Sequence, residues 1–437
     1  MSGKKIGNDI EFIRYLKNNG GETMKKCFQC ATCSVVCHLS PKEDAFPRKE
    51  MINAGWGLKD KLVNDPDIWL CHGCMDCSQQ CPRGARPADL MAAVRSYVYR
   101  NFATPSFMGK ALSEPKYLPY LFIVPVILIS ILTMITQDWS LANINWEPRQ
   151  FKYAEIIAHG PIEALFVAGN VLIFAFAYMG FRKYWDSMSA DYRGGPPQMR
   201  FWKAVPAVFT DFLKHKKFDK CPTNSNRYWG HIFVFYGFLG ALIATAIVVL
   251  DIFGYKLGIY DKFLPEHMNI PLYLFAGVDF ADANQTRELI GLVTKFIGLA
   301  GGTLLVLGGL MLLVKRYKTP ENEGKSTYND MLFLWVLWLV SATGMALVFL
   351  RIGQLPVVAF PMYFIHMVFV YFLLWYMPYS KFAHMIYRFL GLTFLKMHGR
   401  GERPERYAAA LHTNGKTASI KNDEQRSDKE KKEEVTV

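Results

Sequence analysis

Cysteine is almost absent outside two short stretches of this 437-residue sequence: of nine, only Cys221 stands elsewhere. A disulfide framework is not expected, because such frameworks belong to small secreted domains and no secretory signal pattern accompanies these cysteines. No glycine-rich dinucleotide fingerprint opens a strand-turn-helix, so FAD or NAD is expected on other chains. Carboxylates are scarce within the long apolar runs, where only Glu163 lies well inside one. A transporter or proton pump with a redox-sensing iron-sulfur domain, a rival of another class, would need a string of them. The cations come without an aromatic stacking platform, so the net charge of +13 is not read as a nucleic-acid footprint.

What is present begins with a repeat. Cys27-x2-Cys30-x2-Cys33-x3-Cys37 recurs as Cys71-x2-Cys74-x2-Cys77-x3-Cys81-Pro82. This spacing wraps a cubane cluster: a tight loop aims three thiolates at one cluster, and the fourth cysteine reaches the other. Cys27, Cys30, Cys33 and Cys81 are therefore assigned to one 4Fe-4S centre, and Cys71, Cys74, Cys77 and Cys37 to a second. Paired C-x2-C motifs also make structural zinc sites, but zinc would not need the third and fourth cysteines of each run.

Hydrophobic residues make up 51% of the chain and aromatic ones 15%. Residues 1–110 are polar, with an amphipathic opening (Ile10, Phe12, Ile13, Leu16) and the cysteine loops. Beyond them come six runs long enough to cross about 30 Å of hydrocarbon as helices: Tyr117 to Thr136, Pro161 to Phe181, Trp229 to Leu250, Leu289 to Val314, Met331 to Leu350 and Val357 to Met377. Lys and Arg crowd the segments 182–227 and 315–325, whereas 251–288 holds Asp261, Glu266, Asp279 and Asp282 against few cations. By the positive-inside rule, the iron-sulfur part and the C-terminus face the cytoplasm of an inner membrane. The expected fold is all-α: a cytoplasmic two-cluster ferredoxin domain over 1–110, a six-helix cytochrome b-type membrane bundle over 111–398, and a disordered charged tail over 399–437.

Ionisable residues inside spans are costly, and histidine is the first to examine when a redox wire enters lipid. His366 and His384 are five helical turns apart, about 27 Å along the axis, and share one face if the helix continues past Pro378. They suit two haems at different depths, each needing a second axial ligand. His231, at the start of the third run, is the natural partner of His384. For His366 the outer-side choices are His159 and His267, with His159 better placed. A histidine at a helix end can equally cap the helix or hydrogen-bond a carbonyl. His38 and His72 are read as supporting or surface residues beside the cysteines, and His215, His398 and His412 carry no assignment. Lys295 and Glu163, polar residues in outer halves of spans, are the candidates for a quinone site: the lysine to hydrogen-bond a carbonyl, the carboxylate to accept a proton. Snorkelling is the ordinary alternative for Lys295.

The segment from Cys71 to Gly84, with Phe46-Pro47-Arg48 upstream, resembles the small iron-sulfur subunit of heterodisulfide reductase. The C-terminal part is similar to respiratory nitrate reductase gamma subunits, through Gly230-His231-Ile232, Gly308 to Arg316, and His366 to His384 across Met377-Pro378-Tyr379. Their fusion resembles the C-subunit family of quinone-interacting membrane-bound oxidoreductases of sulfate reducers. The resemblance implies b haems, two or at least one. It also implies electron flow from menaquinol to the clusters and cytoplasmic FAD- and iron-sulfur-containing partner subunits, with adenylylsulfate reductase beyond. The membrane cytochrome of a dissimilatory sulfite reductase-linked or heterodisulfide reductase complex is the rival within the class. Two departures stand out: the gamma pattern has a second histidine ten residues after the first, where this chain has Ala241, and Cys37 is followed by His38 instead of proline.

Overall fold

The computed structural model describes the backbone of residues 7–41, 44–215, 225–256, 283–318 and 324–400. Cys221, His267, His412, most of the 251–288 loop and the tail from 401 onward lie outside the described residues. Within them the chain is helical and contains no strand.

The N-terminal part is built on short helices: α1 (Ile10–Leu16), α2 (Thr32–Val36), α3 (Arg48–Gly55), α4 (Lys59–Val63), α5 (Asp76–Gln79), α6 (Pro87–Asn101) and α7 (Ser106–Ser113). Asp9 caps α1 by accepting from the Phe12 amide at 2.9 Å, which satisfies one of the donors a helix start leaves open. Phe12 and Leu16, four apart and so on one face, are fully buried. On α6, Leu90, Met91, Val94 and Val98 form the opposing stripe.

Six helices are long and apolar enough to cross a membrane: α8 (Leu118–Thr136), α9 (His159–Asp191), α11 (Ser225–Lys256), α12 (Ala283–Lys318), α13 (Tyr328–Ile352) and α14 (Pro356–Trp375). They match the six expected runs. Large apolar side chains remain uncovered on them, Phe296 at 73% and Leu250 at 70% exposure, which suits lipid and not water as their surroundings. Two further helices, α10 (Phe201–Leu213) and α15 (His384–Met397), pack on each other at the end of the bundle beside the cysteine loops. In the bundle α11 lies on α12, α12 on α13, α13 on α14, and α14 on α8 and α9.

Two features differ from the sequence reading. Helix α9 runs a further turn and more past Phe181, because its buried stripe Ile173, Ala177, Gly180, Tyr184 and Met188 keeps a helical spacing. That extension enters the core of the N-terminal part. Trp69 donates its Nε1–H to the Tyr184 hydroxyl at 2.7 Å and stacks on Tyr387 of α15, with ring centroids 5.9 Å apart. All three side chains are buried to 1% exposure or less, each contributing about 1.5–3 kcal/mol of apolar burial. The second difference is a correction: the helix of His366 does not continue to His384. It ends at Trp375, two 3-10 turns follow over Met377–Tyr379 and Lys381–Ala383, and α15 starts afresh at His384. Pro378 cannot donate a helical hydrogen bond and biases the residue before it away from helix. His366 and His384 therefore share no helix face.

Helices α11 and α12 meet backbone to backbone. A Cβ on Gly301 would stand 2.9 Å from the Gly237 carbonyl oxygen and 3.0 Å from the Ala241 nitrogen, closer than side chains stand to backbone in practice. Small residues permit such an approach, and dispersion then replaces the hydrophobic drive that lipid removes. Gly301→Val is expected to destabilise the bundle by about 1–3 kcal/mol or more through overpacking, read as a lower melting temperature in detergent. Gly291→Val, on the same helix with open space at its Cβ, is expected to stay close to the native value.

Candidate functional site

The two cysteine loops are conformational copies. Each needs two left-handed residues to turn its thiols inward: Gln29 (φ 61°) and Ala31 (φ 67°) in the first, Gly73 (φ 67°) and Met75 (φ 72°) in the second. The following helices, α2 and α5, pack together. That packing crosses the fourth ligands over. One cavity is lined by Cys27, Cys30, Cys33 and Cys81, a second by Cys37, Cys71, Cys74 and Cys77. Burial, then the neighbouring Cys27 thiolate, pushes the Cys33 thiol up to about 11. Burial, then Cys71, likewise raises Cys77. Four crowded thiols resist ionising together unless cations join them, and iron supplies those. The Gln29 side-chain amide donates to Cys27 Sγ at 3.3 Å and the Gly73 amide to Cys71 Sγ at 3.3 Å, the kind of contact that tunes a cluster.

Beside the second loop lies a cavity of about 850 Å³. Its walls are largely apolar, from Phe212, Phe235, Phe238, Leu312 and Leu337 among others, and it reaches Cys71 and His72. His231, on the first turns of α11, and His384, opening α15, both line it. His384 Nδ1 lies 2.6 Å from the Lys381 carbonyl. A carbonyl only accepts, so Nδ1 carries the proton and Nε2 keeps its lone pair. Burial, then the Lys381 charge, lowers the His384 pKa to about 3, so the ring stays neutral and able to ligate. Apolar walls, two imidazoles from different helices and a rim of cations would suit a haem, with His231 and His384 as the residues that would hold it.

That rim is specific. Arg227 stands four residues before His231, and its Nη1 donates to the Gly73 carbonyl at 2.6 Å. Arg388 stands four residues after His384, and its Nη2 lies 3.0 and 2.9 Å from the two ring nitrogens of His72. Arg95 donates to the Cys71 carbonyl at 2.7 Å. Each histidine-bearing helix thus sends an arginine, one turn away on the same face, onto the second cysteine loop. Burial, then Arg95, lowers the Arg388 pKa to about 10, the expected result of crowding cations into one buried wall.

Residues 23–85 match the family model described as 4Fe-4S dicluster domain. The chain carries an N-terminal dicluster domain. It is similar to the C subunit of the H(2):CoB-CoM heterodisulfide,ferredoxin reductase of Methanothermobacter marburgensis, 34% identical over 108 residues, which is 25% of this chain and 56% of that protein. A protein of Archaeoglobus profundus described as like the heterodisulfide reductase C subunit is 34% identical over 92 residues, 21% of this chain and 49% of its own. The iron-sulfur C subunit of the CoB–CoM heterodisulfide reductase of Methanopyrus kandleri is 29% identical over 89 residues, 20% and 44% of the two chains. The chain spans about half the length of these curated relatives. The dicluster domain holds two 4Fe-4S clusters.

The remaining sequence candidates, His366, His159, Glu163 and Lys295, lie on the membrane-spanning helices. His366 packs against α13: its Nδ1 is 2.9 Å from Thr343 Oγ1, and the ring covers Gly344. The Thr343 hydroxyl already donates to the Leu339 carbonyl, so the imidazole donates to it. His159 is exposed at the first position of α9, and no contact among the described residues joins it to His366. Lys295 is exposed on α12, while Glu163 is half-buried on α9. In the bundle α9 packs on α14 and α12 on α13. Sequence reasoning missed His215. It follows α10 in a left-handed conformation (φ 48°), is 7% exposed, lines the large cavity and sets its ring edge-on to His231 at 5.2 Å between centroids.

Proposed function

We propose that the chain is the membrane subunit of a quinol-linked electron-transfer complex. In it a haem b held by His231 and His384 connects lipid-soluble menaquinol to the two clusters of the dicluster domain. From there the path leads to cytoplasmic flavoprotein and iron-sulfur partners, with adenylylsulfate reductase as the terminal acceptor in sulfate respiration. The observation that carries this reading is the large cavity: two histidines from different helices face it, and its wall includes Cys71, a thiol of the second cysteine set.

When bound, haem supplies one-electron chemistry to match the one-electron clusters, so a two-electron quinol is split into single transfers. The chain's own residues supply the rest. His384 is held by Lys381 in the tautomer that presents Nε2; Phe235, Phe238 and Leu337 give the cavity apolar walls; Arg95, Arg227 and Arg388 tie the second cysteine loop to the pocket rim. Lys381 in turn is ion-paired to Asp330, which fixes the turn before α15. The cluster end of the bundle also bears Lys183, Arg200, Lys203, Lys315 and Arg316, which supports a cytoplasmic dicluster domain. The test is a pyridine haemochrome assay with iron and sulfide analysis on the purified chain. Haem b together with about eight irons in clusters, beyond the haem iron itself, is the expected result; clusters without haem would overturn the membrane half of the reading.

A further inference from the structure

The two cysteine sets differ in what surrounds them. The Cys37, Cys71, Cys74 and Cys77 set is enclosed: Cys71 and Cys77 are buried, and the arginine rim covers its loop. The other set comes to the surface. Cys30 is exposed, and around it Phe28 and Val35 stand 66% and 50% exposed. Arg83 lies over the Phe28 ring at 4.1 Å, and Lys26 is exposed beside it. Residues 24–35 and 79–84 contain no carboxylate. An apolar centre edged by unmatched cations, over a thiol in contact with solvent, is costly to leave bare and suits a transient partner.

We propose that this face, Phe28 and Val35 around Cys30 with Lys26 and Arg83 at the edge, is the docking surface for a soluble one-electron carrier whose own redox centre is ringed by carboxylates. It deepens the proposed function and rests on the dicluster domain alone, not on the haem. The order of centres follows: the membrane pocket meets the Cys37/71/74/77 centre, and the Cys27/30/33/81 centre meets the partner. In each encounter the reduced cluster gives one electron to the oxidised carrier, with no proton or bond exchanged; the same face serves the transfer in reverse, from a reduced carrier to an oxidised cluster.

The test uses the full chain in nanodiscs and a small acidic [2Fe-2S] ferredoxin, reduced beforehand, as the probe in stopped-flow. The second-order rate of cluster reduction is expected to fall as salt is raised. Arg83→Glu and Lys26→Glu are each expected to lower it by about tenfold at low salt. Arg193→Glu, which reverses an exposed charge just after α9, is expected to leave it unchanged. Reduction by methyl viologen radical, a cation, should not slow in any variant, and iron content should stay constant. Native rates in Arg83→Glu and Lys26→Glu with full clusters, or an equal loss in Arg193→Glu, would overturn the docking face. A chain without reducible clusters would overturn the dicluster reading with it.

Discussion

His231→Ala and His384→Ala are each expected to remove the same haem, leaving quinol unable to reduce either cluster. The two residues sit on different helices yet line one cavity, and with either removed the pocket would offer a haem only one of the two imidazoles proposed to hold it. Transfer from quinol to the clusters should fall by at least about a hundredfold, the upper end of what even outer-shell metal-site changes produce, while dithionite still reduces both clusters. Optical redox titration with haem per protein as the score decides it. His215 complicates His231→Ala in an informative way, because its ring stands 5.2 Å from that of His231. A residual low-potential haem in His231→Ala that disappears in the His231→Ala, His215→Ala double variant would show the third imidazole standing in. Unchanged haem in His384→Ala would sink the assignment, since no other imidazole of α15 faces the pocket. His366→Ala is expected to spare this haem, its ring being engaged with Thr343 on α13.

Cys74→Ser should cost one cluster and spare the other. Cys74 lines only the cavity of Cys37, Cys71 and Cys77, whereas Cys27, Cys30, Cys33 and Cys81 surround their own. Iron should drop by about half, with one low-temperature EPR signal surviving reduction. Zinc in place of iron in the native protein would defeat the electron-transfer role altogether. Cys221→Ser is expected to leave both clusters in place.

The sequence is most readable where covalent spacing dictates geometry. Gaps of two residues leave a loop few ways to present three thiols, so the crossed grouping of Cys81 with the first loop and Cys37 with the second is legible from spacing alone. The spans are readable because lipid selects on mean hydropathy. Histidine pairing is harder. The His366–His384 register is an arithmetical coincidence that Pro378 breaks, and a proline between two residues outweighs any helical interval counted across it. His215 is masked in the sequence by its basic segment, yet it directly follows an apolar helix whose Val208 and Phe212 line the same cavity. The arginine rim is illegible: Arg227, Arg388 and Arg95 are far apart in the chain, and only the docking of α11, α15 and α6 gathers them beside the Cys71–Gly73 loop.

The contact between α11 and α12 also bears on cofactor capacity. Position 241, where the gamma-subunit pattern places a second histidine, has its backbone nitrogen 3.0 Å from where a Cβ of Gly301 would stand. A haem is a rigid plate, and seating one beside this stretch of α11 would require the two helices to part by the width of a side chain. This length of α11 has been given over to gripping its neighbour, so an Ala241→His change alone would not recreate the missing site. An outer haem would accordingly be expected to draw its second ligand from a helix other than α11, while His231 and His384 line the cavity beside the second cysteine loop.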